Sequence, residues 1–479
     1  MEKGAKDVLR EVISLRNFLR PLNRFPPEAI ALCATFVSPT DPRPIIPLTH
    51  VCRYWRNAIT SSHKNWASID SGRKGLVPLC LERAGVVPLT VDITVSDIKE
   101  DENFLQALLP HTSRINHLSL TGYSSIEDVA RDLPDFFVTP MFNPTSLELE
   151  QTEEPIESFL SDATPTHPLF QNVSKLKSIR FTRTPLYPAI TSIRSLVELK
   201  LVGYTTPFDF KKFIGFLRSN PNLEIIVLDI QFIETPLWIL STMTFPLACL
   251  RQLSFTCAHA IDAKGLISHI SFPRGVILEI LGSRTNLDAD LHLFLPSPPT
   301  KIQELLTPIT VVKFQNTPSR EVQFSGNGSL FSFRSSNTSF NLDPAFDLFP
   351  TTAVHEFHAK VSPCREVLFQ PLSQLPALET LVFVDVTSFP THSLDFLGED
   401  PVLCPSLKTV AFFDCGLGSG IIGDLENVVA RRQHSTAARL YRVVIVNRAG
   451  KLPDYKSIRR LRQFVPRVDV GIDELPDLP

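Results

Sequence analysis

Glycine is scarce in this chain: 19 glycines stand against 40 prolines in 479 residues. That ratio argues against a glycine-rich catalytic scaffold and predicts many short elements, each stopped by proline. An excess of one charge is missing too, since 47 Lys plus Arg against 50 Asp plus Glu leaves a net charge of −3. Such a balance provides no field for gripping a nucleic-acid backbone or an anionic membrane, so neither is expected as a partner. The eight cysteines, at 33, 52, 80, 249, 257, 364, 404 and 415, form no CxxC pair. Neither a disulfide framework nor a zinc site is legible, and a reducing compartment fits. No stretch reaches the roughly 18 apolar residues of a membrane span, and residues 1–20 mix charges of both signs where a leader would be uniformly apolar. The expectation is a soluble protein of the cytoplasm, the nucleus or both. GxSxG, the P-loop and HExxH are also missing, which removes the usual support for nucleophile-elbow hydrolases, phosphate-cradling NTPases and zinc peptidases. No catalytic residue, cofactor or metal is expected.

What remains is ample for folding. Hydrophobic residues make up 43% and charged residues 20%, and the length allows about three domains or one long repeat array. Val8, Val12, Leu15 and Leu19 keep helical spacing, predicting an amphipathic helix over residues 5–20. In residues 25–66, Pro27 and Glu28 suit a first helical turn, and Ile30, Cys33, Ala34 and Val37 form an i, i+3, i+4, i+7 stripe. A second helix is predicted from about Pro47, with Leu48, Val51, Cys52, Trp55, Ala58 and Ile59 at helical spacing.

The run Phe25-Pro26-Pro27-Glu28, then Phe36-Val37, then Leu48-Thr49-His50-Val51-Cys52-Arg53-Tyr54-Trp55-Arg56 and Trp66 resembles an F-box. Cys33-Ala34 stands where that family has a bulky pair. The resemblance implies docking on a Skp-family adaptor, and through it on a cullin, by Phe25, Pro26, Pro27, Glu28, Ile30, Phe36, Val37, Leu48, Val51, Cys52 and Trp55. With the repeats that follow, the chain is similar to F-box proteins carrying C-terminal leucine-rich repeats.

Those repeats rest on an L-x-x-L-x-L register with aliphatic or Phe substitutes. It occurs at Ile115/Leu118/Leu120, Leu176/Ile179/Phe181, Leu196/Leu199/Leu201, Leu223/Ile226/Leu228, Leu250/Leu253/Phe255, Leu378/Leu381/Phe383, Leu407/Val410/Phe412 and Leu440/Val443/Ile445. Helical patterns separate copies, as at residues 124–133 and at Phe210, Phe213, Ile214 and Leu217. Repeated strand-then-helix units predict an α/β solenoid: a small N-terminal all-α module followed by an irregular leucine-rich-repeat arc with parallel strands on the concave face. Short strands at 310–314, 322–325, 330–333 and 340–342, with a Gly326-Asn327-Gly328 turn, predict an antiparallel insertion. The expected organisation is a helix at 1–20, the F-box-like module at 21–70, a linker and repeat cap at 71–110, repeats at 111–450 with the insertion near 300–350, and a tail at 451–479 bearing a basic helical stretch at 458–464.

Two motifs read as ordinary structure. Gly418-Ser419-Gly420-Ile421-Ile422-Gly423 matches GxGxxG, but it follows a repeat strand near the chain's end and lacks a ribose-binding acid on the next strand. His355-Glu356-Phe357-His358 would place its histidines on opposite faces of a strand. Three glycosylation sequons, at Asn172, Asn327 and Asn337, carry no weight without a secretory signal. Between the register positions, Ser119, Arg180, Lys200, Val227, Ser254, Val382, Ala411 and Val444 point away from the core. Of these, Arg180, Lys200, Val227, Ser254, Val382 and Ala411 are the candidate target contacts. Two functions fit: the substrate-recognition subunit of an SCF-type cullin ubiquitin ligase, or a non-catalytic repeat scaffold whose N-terminal helices only cap the first repeat.

Overall fold

The computed structural model describes residues 8, 11–13, 16, 21–37, 43–99, 102–124, 144–152, 175–184, 193–203, 208–230, 232–233, 244–257, 259–282, 291–296, 300–316, 320–326, 328–335, 346, 348–361, 365–390, 392–399, 403–417, 419–434, 439–447 and 455–471. They divide between two compact units, Met1–Thr206 and Pro207–Pro479, both mixed α/β. Of the helix expected at 5–20, Val8, Glu11, Val12, Ile13 and Arg16 are described and helical. Residues 125–133 of the expected helix at 124–133, the strand at 340–342, Gly418, Asn327, the sequons at 172–174 and 337–339 and the tail beyond 471 lie outside the described residues.

The first unit opens with α1 (Pro27–Val37), α2 (Ile45–Thr49) and α3 (Arg53–Thr60). Ile30 and Ala34 are buried one turn apart on α1, Ala58 and Ile59 on α3, and the two helices pack together. The stripe expected on α1 is thus narrower, because Cys33 and Val37 face solvent. The single helix expected from Pro47 to Ile59 is two. Cys52 is extended at φ −162° and ψ 173°, and its carbonyl accepts the Arg56 amide at 3.0 Å, restarting the helix. Arg56 Nε donates back to the Thr49 carbonyl at 3.0 Å and ties the two pieces.

Six strands follow: β1 (Ser68–Asp70), β2 (Leu89–Thr94), β3 (Ile115–Tyr123), β4 (Ser146–Gln151), β5 (Ser178–Thr182) and β6 (Glu198–Val202). They pair in chain order, every pair parallel. Between β1 and β3 lie α4 (Val77–Ala84), α5 (Val95–Lys99) and α6 (Glu102–Leu108). Within residues 71–110, expected as a linker and cap, β2 pairs with both β1 and β3, so the parallel array starts at Ser68. Alternation drives the pairing: Leu147, Leu149, Ile179, Phe181, Leu199 and Leu201 are buried on one face while the residues between them are more exposed. Each such side chain contributes about 1.5–3 kcal/mol by leaving water.

The second unit holds β7 (Phe208–Asp209), α7 (Phe210–Arg218), β8 (Ile225–Asp229), β9 (Phe232–Ile233), β10 (Phe245–Pro246), β11 (Gln252–Cys257), α8 (Ala260–His269), β12 (Ile270–Ser271), β13 (Ile277–Gly282), α9 (Leu291–Phe294) and α10 (Thr300–Leu306). Then come β14 (Ile309–Asn316), β15 (Arg320–Gly326), β16 (Ser329–Ser335), β17 (Glu356–Lys360), α11 (Arg365–Ser373), β18 (Thr380–Val384), β19 (Thr409–Phe413), α12 (Ser419–Gln433), β20 (Arg442–Val446), α13 (Tyr455–Phe464) and β21 (Arg467–Gly471). The main ladder runs β8–β11–β13–β16–β15–β14–β17–β18–β19–β20–β21. Two short parallel ladders, β7–β9 and β10–β12, stand apart from it.

The insertion expected near 300–350 is the antiparallel meander β14–β15–β16, entered in reverse spatial order. β16 lies parallel to β13 and β14 parallel to β17, so the array passes through it without changing direction. Gly326 is required there, because a Cβ would meet the Leu306 carbonyl oxygen at 1.9 Å and that of Pro308 at 2.4 Å. Phe324 packs against Phe349 with ring centroids 4.5 Å apart, and Phe294 against Phe333 at 4.9 Å. The array also outlasts its expected end at 450, since β21 pairs with β20. Gly420 and Gly423 of the GxGxxG match lie inside α12 rather than in a strand-to-helix turn.

Candidate protein-docking surfaces

The N-terminal module is held from within by polar clasps. Asn23 Oδ1 accepts Trp55 Nε1 at 2.6 Å, and Tyr54 donates its hydroxyl to the Phe25 carbonyl at 2.7 Å. Thr35 Oγ1 donates to Asn65 Oδ1 at 2.7 Å, and Trp66 Nε1 donates to the Ile59 carbonyl at 3.1 Å. Trp66 is buried, with the Arg83 guanidinium 4.3 Å from its ring centre.

Around that frame the expected adaptor contacts separate into two groups. Phe25, Pro26, Pro27, Glu28, Phe36, Val37 and Val51 are exposed, Phe36 at 79% and Val51 at 56%. Leu48, Cys52 and Trp55 are half-buried, and Ile30 is 2% exposed, so packing rather than contact is its role. Sequence reasoning passed over Leu32, exposed at 57% and one turn before Phe36 on the same helix face. The i, i+4 spacing of Leu32 and Phe36 was the available signal. Phe25, Leu32, Phe36, Val37 and Val51 thus leave large apolar side chains in water on one small module.

The second surface is the sheet face opposite the register leucines. In the first unit Asp70, Asp92, Ser119, Glu148, Arg180 and Lys200 stand side by side across β1 to β6. Acids precede bases along that row. Burial pushes the Asp92 carboxyl up, the His117 imidazole offsets part of the shift, and Asp70 and Glu148 add to it. Lys200 Nζ sits 2.6 Å from Glu198 and holds that carboxylate below its ordinary range despite partial burial. Arg180 is exposed.

In the second unit the equivalent row reads Val227, Ser254, Glu279, Ser332, Gln323, Lys313, His358, Val382, Ala411, Val444 and Asp469. Expected target contacts therefore share one row in each unit. Val382 and Ala411, however, are 0% exposed, in a buried cluster with Phe413, Val444 and Val446. Strands β18 to β20 are thus covered on both faces, the usual situation of continuous apolar parallel strands, and this end of the row offers no open surface. Val227 and Ser254 are half-buried, Ser254 facing Glu279.

Every described cysteine is a free thiol, and burial pushes Cys80 and Cys415 up to about 11 and Cys404 to about 12, keeping them protonated at neutral pH. His358 pairs with Glu356 of its own strand, while His355 Nδ1 lies 3.5 Å from the Ala353 carbonyl oxygen. Among the described residues no helix is long and apolar enough to cross a membrane. Comparisons with protein-family models and with curated proteins return no match.

Proposed function

We propose that this chain is the substrate-recognition subunit of an SCF-type cullin ubiquitin ligase. Its N-terminal helices act as an F-box, docking on a Skp-family adaptor, and the strand-and-helix array presents a target protein to the ligase. The chain itself performs no chemistry; it contributes proximity and orientation. The observation that carries this reading is the exposed apolar set Phe25, Leu32, Phe36, Val37 and Val51 on a module whose fold is otherwise closed by its own clasps. Burying each in an interface gives about 1.5–3 kcal/mol, enough for a few to anchor a complex.

On the target side, the exposed Arg180 and the acidic stretch before it suit a partner of complementary charge along the first unit's row. A second reading has its own support. Arg83 of α4 lies over Trp66, and the Arg83 carbonyl is 2.6 Å from His63 Nδ1, so the module also caps the first repeat, as it would in a scaffold with no ubiquitin role. Co-elution separates the two: the full chain mixed with adaptor and cullin should run as a ternary complex on gel filtration, and a Phe36→Asp/Val51→Asp chain should run alone. A folded wild-type chain that runs alone leaves the scaffold.

A further inference from the structure

The turn after β18 and the helix after β19 bring together three metal-ligating side chains that neither docking surface uses. His392 Nδ1 is 2.9 Å from Asp395 Oδ2 and 3.9 Å from Asp424 Oδ1, and one ligand atom from each residue lies within 4.8 Å of the others. Asp424 stands in α12 and is 3% exposed, whereas His392 opens to solvent. Among the described residues, Asp395 Oδ1 and Asp424 Oδ2 are buried with no hydrogen-bond partner. Two carboxylates placed this closely, each with a buried oxygen lacking a hydrogen-bond partner, carry a desolvation and repulsion cost that the His392 imidazole and the backbone amides of His392 and Leu394 offset only in part.

We propose that His392, Asp395 and Asp424 bind one divalent transition ion of the zinc class, which staples the β18–β19 connection to α12. Ligand atoms around a tetrahedral ion with bonds of about 2.0–2.2 Å stand about 3.3 Å apart; the two imidazole–carboxylate separations, 2.9 and 3.9 Å, lie close to that, and the carboxylate–carboxylate separation closes from no more than 4.8 Å. One imidazole nitrogen with two carboxylates suits zinc, cobalt or manganese. Calcium asks for six to eight oxygens, and magnesium keeps most of its waters. The ion replaces the proton that Nδ1 shares with Asp395, and exposed His392 gives it a path from solvent.

The test uses the full-length chain, stripped with chelator and titrated with zinc chloride by calorimetry, with thermal melting alongside. The expected result is one equivalent bound and a higher melting temperature, with magnesium and calcium chlorides giving neither. His392→Ala, at an exposed position, should weaken zinc at least tenfold in a chain that still folds and melts cooperatively without metal. Asp424→Asn should weaken it likewise, and His358→Ala should leave it unchanged. Cobalt(II) should give a visible absorption band in the wild-type chain that His392→Ala lacks. Absence of saturable binding to the folded chain overturns the proposal, as does zinc affinity that survives both His392→Ala and Asp424→Asn.

Discussion

Trp55 Nε1 and Asn23 Oδ1 meet at 2.6 Å across the 32 residues that separate them in sequence. That bond fixes the chain segment entering α1 against α3, and so sets where Phe25 and its neighbours stand. Asn23 is itself buried, which leaves no water to replace the lost acceptor. Asn23→Ala is expected to destabilise the module by about 1–2 kcal/mol in urea unfolding and to weaken adaptor binding. Unchanged stability would show that the clasp is incidental.

Arg432 is the largest buried cation, 1% exposed, and its guanidinium reaches the carbonyls of Leu397 at 3.1 Å, Leu403 at 3.0 Å and Cys404 at 2.9 Å. Burial pushes its pKa down, while the carbonyls it satisfies lie between β18 and β19. Replacement by Met should cost about 3 kcal/mol or more, because several buried acceptors lose their donor together. Lysine cannot span the same fork, so Arg432→Lys should recover little of it in chemical denaturation.

A recurring corner ends the strands. Arg183, Gly203, Asp385 and Asp414 each follow a strand directly, and all have positive φ, between 50° and 73°. Only at Gly203 is that conformation free of side-chain strain, and an added Cβ would also approach Arg183 Cγ to 3.3 Å. Gly203→Ala should lower stability by about 1–2 kcal/mol in equilibrium unfolding.

Two carboxylates should report pH with opposite sign. Glu321 is largely buried, which alone would raise its pKa, but hydrogen bonds from Gln323, Ser332 and Arg334 bring it below the ordinary 4.5. The stability it contributes is present above that value and is lost as pH falls through the lower folded pKa. Asp92 is raised above 3.8, so its ionisation opposes folding and that penalty vanishes in acid. Melting temperatures followed from pH 7 down to about 3 should show Glu321→Gln losing less stability than wild type on acidification. Asp92→Asn should be more stable than wild type at pH 7, the advantage disappearing in acid.

Much of the array was legible because eight copies of one register each place three large apolar side chains on the buried face. Two of the strands outside the register, β4 and β1, lacked that density. β4 offers only Leu147 and Leu149 between glutamates, and β1 only Ile69 in three residues. The break between α2 and α3 was hidden because Val51 and Cys52 keep helical spacing while the backbone at Cys52 is extended. Burial of Val382 and Ala411 could not be read from alternation, which says which side of a strand a residue takes and not what covers that side. The His392, Asp395 and Asp424 cluster joins residues 32 positions apart in chain order, a juxtaposition that only folding creates.

Docking of the N-terminal module on a Skp-family adaptor is tested by calorimetry of the purified full-length chain against that adaptor. One-to-one binding is expected, falling by about tenfold or more in Phe36→Ser/Val51→Ser. These exposed substitutions should move unfolding stability by no more than about 0.5 kcal/mol. A folded wild-type chain that does not bind the adaptor, or binding that is indifferent to both substitutions, would contradict that docking.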